Sequence, residues 1–195
     1  MKQYNIAKMQ KKLQKELDEN RYRHTLGVMY TCAALAMRYS VDLEKAQVAG
    51  LLHDCAKCIP NEKKVKLCRK YEIPITTVEA GSPFLLHAKL GAYLAKEAYD
   101  VEDEDILSAI ACHTTGKPGM TRLEEIVFLA DYIEPMRFKA SNLEKIRKMA
   151  FMDIEQAVYI TLSDTLRYLE KGSGEVDEMT RKACEYYREL CDGQD

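Results

Sequence analysis

The stretch VAGLLHDCAKCIP, residues 48–60, sets His53 beside Asp54 inside an apolar run. Groups of this kind are costly to bury without a partner, so the stretch raises the question of what they bind. Working outward from it, the same setting recurs. The four histidines lie in RHTLGV (His24), GLLHDCA (His53), FLLHAKLGA (His87) and AIACHTTG (His113), and IVFLADYIEP adds Asp131. One such histidine is ordinarily a hydrogen-bonded core residue. All four together, with two carboxylates among similar neighbours and no Lys or Arg inside GLLHDCA or VFLAD, point to a metal that satisfies the whole set.

The apolar periodicity is helical nearly throughout, with no alternating strand-length runs joined by hairpin turns. Helices are expected over about 4–18, 21–39 (capped by Asn20), 43–57 (capped by Asp42) and 61–71. Further helices are expected over about 83–99, opened by Ser82-Pro83, and over about 104–113, opened by Asp103. Thr121-x-x-Glu124 reads as a capping box for a helix over about 122–133. Three more follow near 142–150, 153–170 and 175–190, the last two parted by Gly172-Ser173-Gly174. The expected fold is all-α: one helical-bundle domain over 1–195, with a motif-bearing core at about 20–140 and C-terminal helices at about 141–191. Neighbouring residues on a helix diverge by ~100°, so His53 and Asp54 reach one ion only if it lies between them. Other helices must complete the shell. His24 and Asp131 are the candidates, giving a His₂Asp₂ set in the core of a bundle.

Composition narrows the class. At 195 residues, 47% hydrophobic, 31% charged and net −2, the chain reads as an ordinary globular protein without a basic field for nucleic acid or an anionic membrane. The start, MKQYNIAKMQKKLQKELDEN, is polar and unlike a signal peptide, and no run approaches the ~20 apolar residues of a membrane helix. Seven cysteines, an odd number, are expected to be reduced thiols in a cytoplasm. Cys55-x-x-Cys58 lacks a second pair to complete a zinc site, and core filling is the expected role.

The order of an early His, a His-Asp doublet and a late Asp resembles the HD-domain metallophosphohydrolase superfamily. Two further histidines between the doublet and the last Asp are the mark of members that hold two metals; here these are His87 and His113. RYRHTLGV, AGLLHDCAK, HAKLGA, CHTTG and LADYIEPMR together resemble the bacterial YqeK family. That resemblance implies symmetrical hydrolysis of diadenosine tetraphosphate to two ADP at a di-iron centre. It implies His24, His53, Asp54 and Asp131 on one ion, and His87, His113 and a bridging Asp54, a catalytic residue by this reading, on the other. The nitrogen and oxygen donors suit Fe, Mn, Co, Ni or Zn alike, and iron rests on the family alone.

A dinucleoside polyphosphate demands cations that the net charge does not provide. Lys57 completes the HDCAK pattern and is expected at the phosphates and in catalysis, with Arg137 in EPMR as a second ligand. Arg21 and Arg23, which flank His24, are further candidates, as are Thr115 and Gly116, after His113 and Thr114. Tyr22, Tyr132 and Phe84 are candidates for stacking on adenine, although aromatics at helical spacing are usually core. Two other readings remain open: an HD phosphohydrolase for another nucleotide, and a non-catalytic nucleotide-binding regulatory module. The family also allows a homodimer. The C-terminal third carries no assignable motif.

Overall fold

The computed structural model describes residues 3–140, 142–172 and 176–193. Eleven α-helices and one 3₁₀ turn make up the regular structure of the described residues, with no strand among them. In order they are α1 (Ile6–Glu16), α2 (Glu19–Tyr39), α3 (Leu43–Leu52), α4 (Asn61–Lys70), α5 (Thr77–Gly81), the 3₁₀ turn Pro83–Leu86, α6 (His87–Tyr99), α7 (Glu104–Cys112), α8 (Arg122–Ile133), α9 (Leu143–Ala150), α10 (Ile154–Glu170) and α11 (Glu178–Asp192). The all-α expectation holds, and α8 matches its expected bounds because the Thr121/Glu124 capping box forms in both directions.

Three details differ from the sequence reading. Helix α2 starts earlier: Asp18, not Asn20, is its cap, accepting from the Arg21 N–H at 2.9 Å. A carboxylate there meets both the unpaired N–H groups and the positive end of the helix dipole. Helix α3 stops at Leu52, and residues 53–58 run on in tight turns closed by Cys55 N–H to Leu52 O and Lys57 N–H to Asp54 O. The His-Asp doublet therefore sits at a helix end rather than inside a helix. The helix expected over 83–99 is divided, and α5 precedes it behind a second capping box, Thr76 with Glu79. The expected break at Ser173-Gly174 lies outside the described residues.

Helix α2 lies against α3 and α8, α7 bridges α6 and α8, and α10 packs on α8, α9 and α11. Leu35, Leu51, Leu52, Ile106, Ile110, Ile126 and Leu129 are fully buried where these helices meet, each worth roughly 1.5–3 kcal/mol of burial. A smaller cluster of Ala56, Cys68, Leu86 and Leu90 lies where α4, α6 and the 3₁₀ turn meet. All seven cysteines are free. Cys55 fills core as expected, but Cys58 is exposed, with its Sγ 3.3 Å from Asp18 Oδ2. The turn after α3 carries it outward.

Candidate metal centre

Five elements end or begin at one place. His24 comes from the second turn of α2, His53 and Asp54 from the end of α3, His87 from the start of α6, His113 from the end of α7 and Asp131 from the last turn of α8. Helix ends carry backbone carbonyls with no partner inside the helix. Three histidines use this. His53 Nδ1 lies 2.7 Å from Gly50 O, His113 Nδ1 2.7 Å from Ile110 O, and His87 Nδ1 2.6 Å from Phe84 O. A carbonyl only accepts, so each Nδ1 carries its proton. His24 Nδ1 meets the Glu134 carboxylate at 3.0 Å with the same consequence. Each neutral imidazole therefore presents a bare lone pair at Nε2.

All four lone pairs point at carboxylates and at each other. His24 Nε2 is 3.0 Å from Asp131 Oδ1, and His53 Nε2 is 3.4 Å from Asp54 Oδ2. On the other side of the same carboxylate, His87 Nε2 is 3.1 Å and His113 Nε2 3.7 Å from Asp54 Oδ1, and the two nitrogens are 3.2 Å apart. Electron pairs facing electron pairs in a buried site repel unless a cation lies between them. His24 Nε2, His53 Nε2 and Asp54 Oδ1 are buried without a hydrogen bond; among the described residues Thr25 Oγ1 is the other such atom. Each unsatisfied atom costs roughly 1–3 kcal/mol. His24, His53 and Asp131 form one set of atoms close enough to hold an ion, and His53, Asp54 and His113 form another. The donor set fits a divalent metal.

The electrostatics agree. Burial pushes the His87 imidazole down to about 4, against the opposing pull of Asp54, which keeps its lone pair available at neutral pH. Burial by itself would raise the Asp54 carboxyl, but the imidazoles of His53, His113 and His87 around it hold it well below the usual range. Burial likewise opposes ionisation of Asp131, and His24, His53 and Arg137 hold it well down.

Cations close the rim. Arg21 donates to Asp54 Oδ2 at 2.7 Å, and Arg137 donates to Asp131 Oδ1 at 2.7 Å and to its carbonyl at 3.0 Å. Lys57 Nζ donates to His87 Nε2 at 3.1 Å and stands 3.6 Å from Asp54 Oδ1. Arg23 is not brought in; it is exposed on α2. Thr115 Oγ1 turns to the Gly116 carbonyl, whereas Thr114 Oγ1 comes within 3.3 Å of His87 Nε2 and 3.2 Å of His113 Nε2. Gly116 adopts φ +64° where α7 ends, and a Cβ there would meet Leu162, Ala183 and Met120. Its position is a backbone requirement of the turn. Of the aromatic candidates, Phe84 is exposed, Tyr22 packs against the core, and Tyr132 lines a cleft of about 750 Å³ that also includes His113, Thr114 and Asp131.

Glu134 was not singled out from the sequence. It is buried, orients His24 through Oε1 and accepts the Met136 N–H at 2.7 Å through Oε2. Its signal lies across the interface. Gly27, three residues after His24 and inside α2, would place a Cβ 2.5 Å from Glu134 Oε2. A glycine in mid-helix costs about 1 kcal/mol relative to alanine, and here the carboxylate requires it.

Comparison with known proteins shows the family. The HD domain family matches residues 21–136. A symmetrical bis(5'-nucleosyl)-tetraphosphatase of Bacillus subtilis is 41% identical over 82% of this chain and 84% of its own length. One from Staphylococcus aureus is 34% identical over 94% of each chain. The crystal structure of an HD superfamily hydrolase described as involved in NAD metabolism, from Clostridium acetobutylicum, superposes with a TM-score of 0.92 at 37% identity, covering 97% of this chain and all of that one.

Proposed function

From a chain that belongs to the HD-domain family, and within it to the symmetrical bis(5'-nucleosyl)-tetraphosphatases, we infer hydrolysis of diadenosine tetraphosphate to two ADP. The observation that carries the reading is the set of inward-facing, unsatisfied donor atoms at His24, His53 and Asp54. We propose that His24, His53, Asp54 and Asp131 hold one divalent ion. His87, His113 and Asp54 would hold another. We propose iron from the family resemblance alone; the donors suit Fe, Mn, Co, Ni or Zn alike. When bound, such ions supply charge neutralisation to a phosphoryl group and make water a better nucleophile near neutral pH.

The chain's own groups do the rest. Each Nδ1–H is held by a carbonyl or by Glu134, which fixes the ring and keeps Nε2 free for the ion. Arg21, Lys57 and Arg137 stand at the mouth with the carboxylates as resting partners. An incoming polyphosphate replaces those partners, and the cations then neutralise its oxygens as charge moves onto the departing one. In the net reaction a water oxygen joins one central phosphorus, the central P–O–P bond breaks on that side, and the bridging oxygen leaves with the other ADP. Thr114 supplies a hydroxyl beside His87 and His113 for the oxygens of the attacked phosphate. The free thiols support a reducing compartment, which we take to be the cytoplasm. No described helix is long and apolar enough to cross a membrane.

The test is to supply the purified protein with iron anaerobically, add diadenosine tetraphosphate and separate the products. ADP as the sole product is expected. AMP with ATP would place the cut off centre and refute the symmetrical assignment.

A further inference from the structure

Pro135 ends helix α8 beside the metal centre and leaves its last carbonyls without their usual donors. Proline has no N–H, so Asp131 O loses the bond that residue 135 would give it in a continuing helix, and Arg137 Nε takes that place at 3.0 Å. The Arg137 N–H goes to Glu134 O at 3.0 Å instead of to Ile133 O. One guanidinium from α9 serves the carbonyls of this turn. Arg147 Nε donates to Ile133 O at 2.8 Å, and its Nη2 donates to Glu134 O at 2.8 Å and to Arg137 O at 2.9 Å. We propose that Arg147 is a positioning residue of the metal centre: by fixing the backbone of residues 133–137 it keeps the Glu134 carboxylate on His24. The proposal rests on the metal reading of the site and gives a helix without a motif a part in it.

Three observations carry it. The guanidinium has a firm base. Leu143, Ile146 and Ala150 are buried and fasten α9 to α8 and α10, and Arg147 is half-buried among them. Its acceptors lie on both sides of Pro135. A basic side chain near a helix C-terminus is an ordinary cap, but this one comes from another helix and also holds Arg137 O, beyond the helix end. Only a rigid fork of donors joins three carbonyls so placed; an ammonium is a point charge. The turn that Arg147 holds is also the one that aims Glu134. Glu134 Oε1 meets His24 Nδ1 at 3.0 Å while Oε2 accepts the Met136 N–H at 2.7 Å, so the carboxylate follows the backbone of its own turn. The fit against α2 leaves no slack, since even a Cβ at Gly27 would stand 2.5 Å from Oε2. A turn that shifts takes the carboxylate off the imidazole, and His24 loses the group that fixes its ring.

Arg147→Lys tests this, because it keeps the charge and loses the fork. In chelator its melting temperature should stay within about 5 °C of wild type, while hydrogen exchange at the Met136 and Arg137 amides quickens about tenfold. Titrated with Co(II) against a chelating dye, one ion should bind about 10–100-fold more weakly and the other within about threefold of wild type. Since Arg147 acts through Glu134, the losses should not add. Glu134→Gln and Arg147→Lys in one chain should weaken that ion by no more than about threefold beyond Glu134→Gln alone. Wild-type affinity for both ions in Arg147→Lys, an equal weakening of both, or additive losses in the double variant overturns the proposal. If wild-type protein takes up no Co(II), the metal reading itself fails. Amide exchange in chelator is independent of that reading and still decides whether Arg147 holds the turn that carries Glu134.

Discussion

The motif-bearing helices and the C-terminal helices bury polar groups in opposite ways. At the metal centre, His24, His53 and Asp54 keep buried atoms without partners. Among the described residues of the C-terminal region no buried side-chain polar atom lacks a partner. Asp164 is held by Asn142 and Arg167, Thr161 donates to Ala157 O, and Tyr187 donates to Glu125. The first region is an incomplete electrostatic structure that requires something from solution, whereas the described part of the second is complete in itself. Polar groups left unsatisfied in a well-packed core mark where a ligand belongs, because their cost has no other compensation.

The sharpest break of this contrast is Asp54→Ala. The carboxylate touches both halves of the centre, so metal content should collapse and turnover should fall by more than about a thousandfold. Lys57→Ala comes next: it removes one cation from the mouth and should cost about 10²-fold in kcat with metal retained. Glu134→Gln sharpens the contrast one step further out. Gln retains the volume beside Gly27 but weakens the hold on His24 Nδ1, and metal affinity should drop by about 10–100-fold in competition with a chelating dye.

The smallest effect lies at the seam of α8 and α11. Burial pushes the Glu125 carboxyl up to about 7, against the pull of the Tyr187 hydroxyl and Arg122. The folded state then holds a proton that the unfolded state has already released, so this group's contribution to stability falls as pH rises from about 4.5 to about 7. In Glu125→Gln that contribution is gone. The variant's melting temperature should decline less between pH 5 and pH 8 than that of wild type, both measured without metal. An equal decline would remove Glu125 as its source.

Much of the centre was legible in the sequence because its signal is chemical. His53-Asp54 in an apolar run is conspicuous whatever the local backbone does, and the same holds for His24, His87, His113 and Asp131. What the sequence misplaced was local geometry: α3 ending at Leu52 instead of near residue 57, Asp18 in place of Asn20 as a cap, and the unrecognised Thr76/Glu79 box. These depend on a competition between neighbouring polar groups that sequence patterning resolves poorly. Glu134 stayed hidden for a different reason. It acts across an interface, on His24, and a single chain read in order does not reveal which helices meet.

The most direct measurement is the metal content of the purified chain, prepared without chelator under anaerobic conditions and reconstituted with iron, determined by mass spectrometry beside Asp54→Ala. The account predicts close to two ions per wild-type chain and almost none in the variant. Wild-type protein that binds no metal in stoichiometric amount, or an Asp54→Ala chain that keeps its full complement, would contradict it.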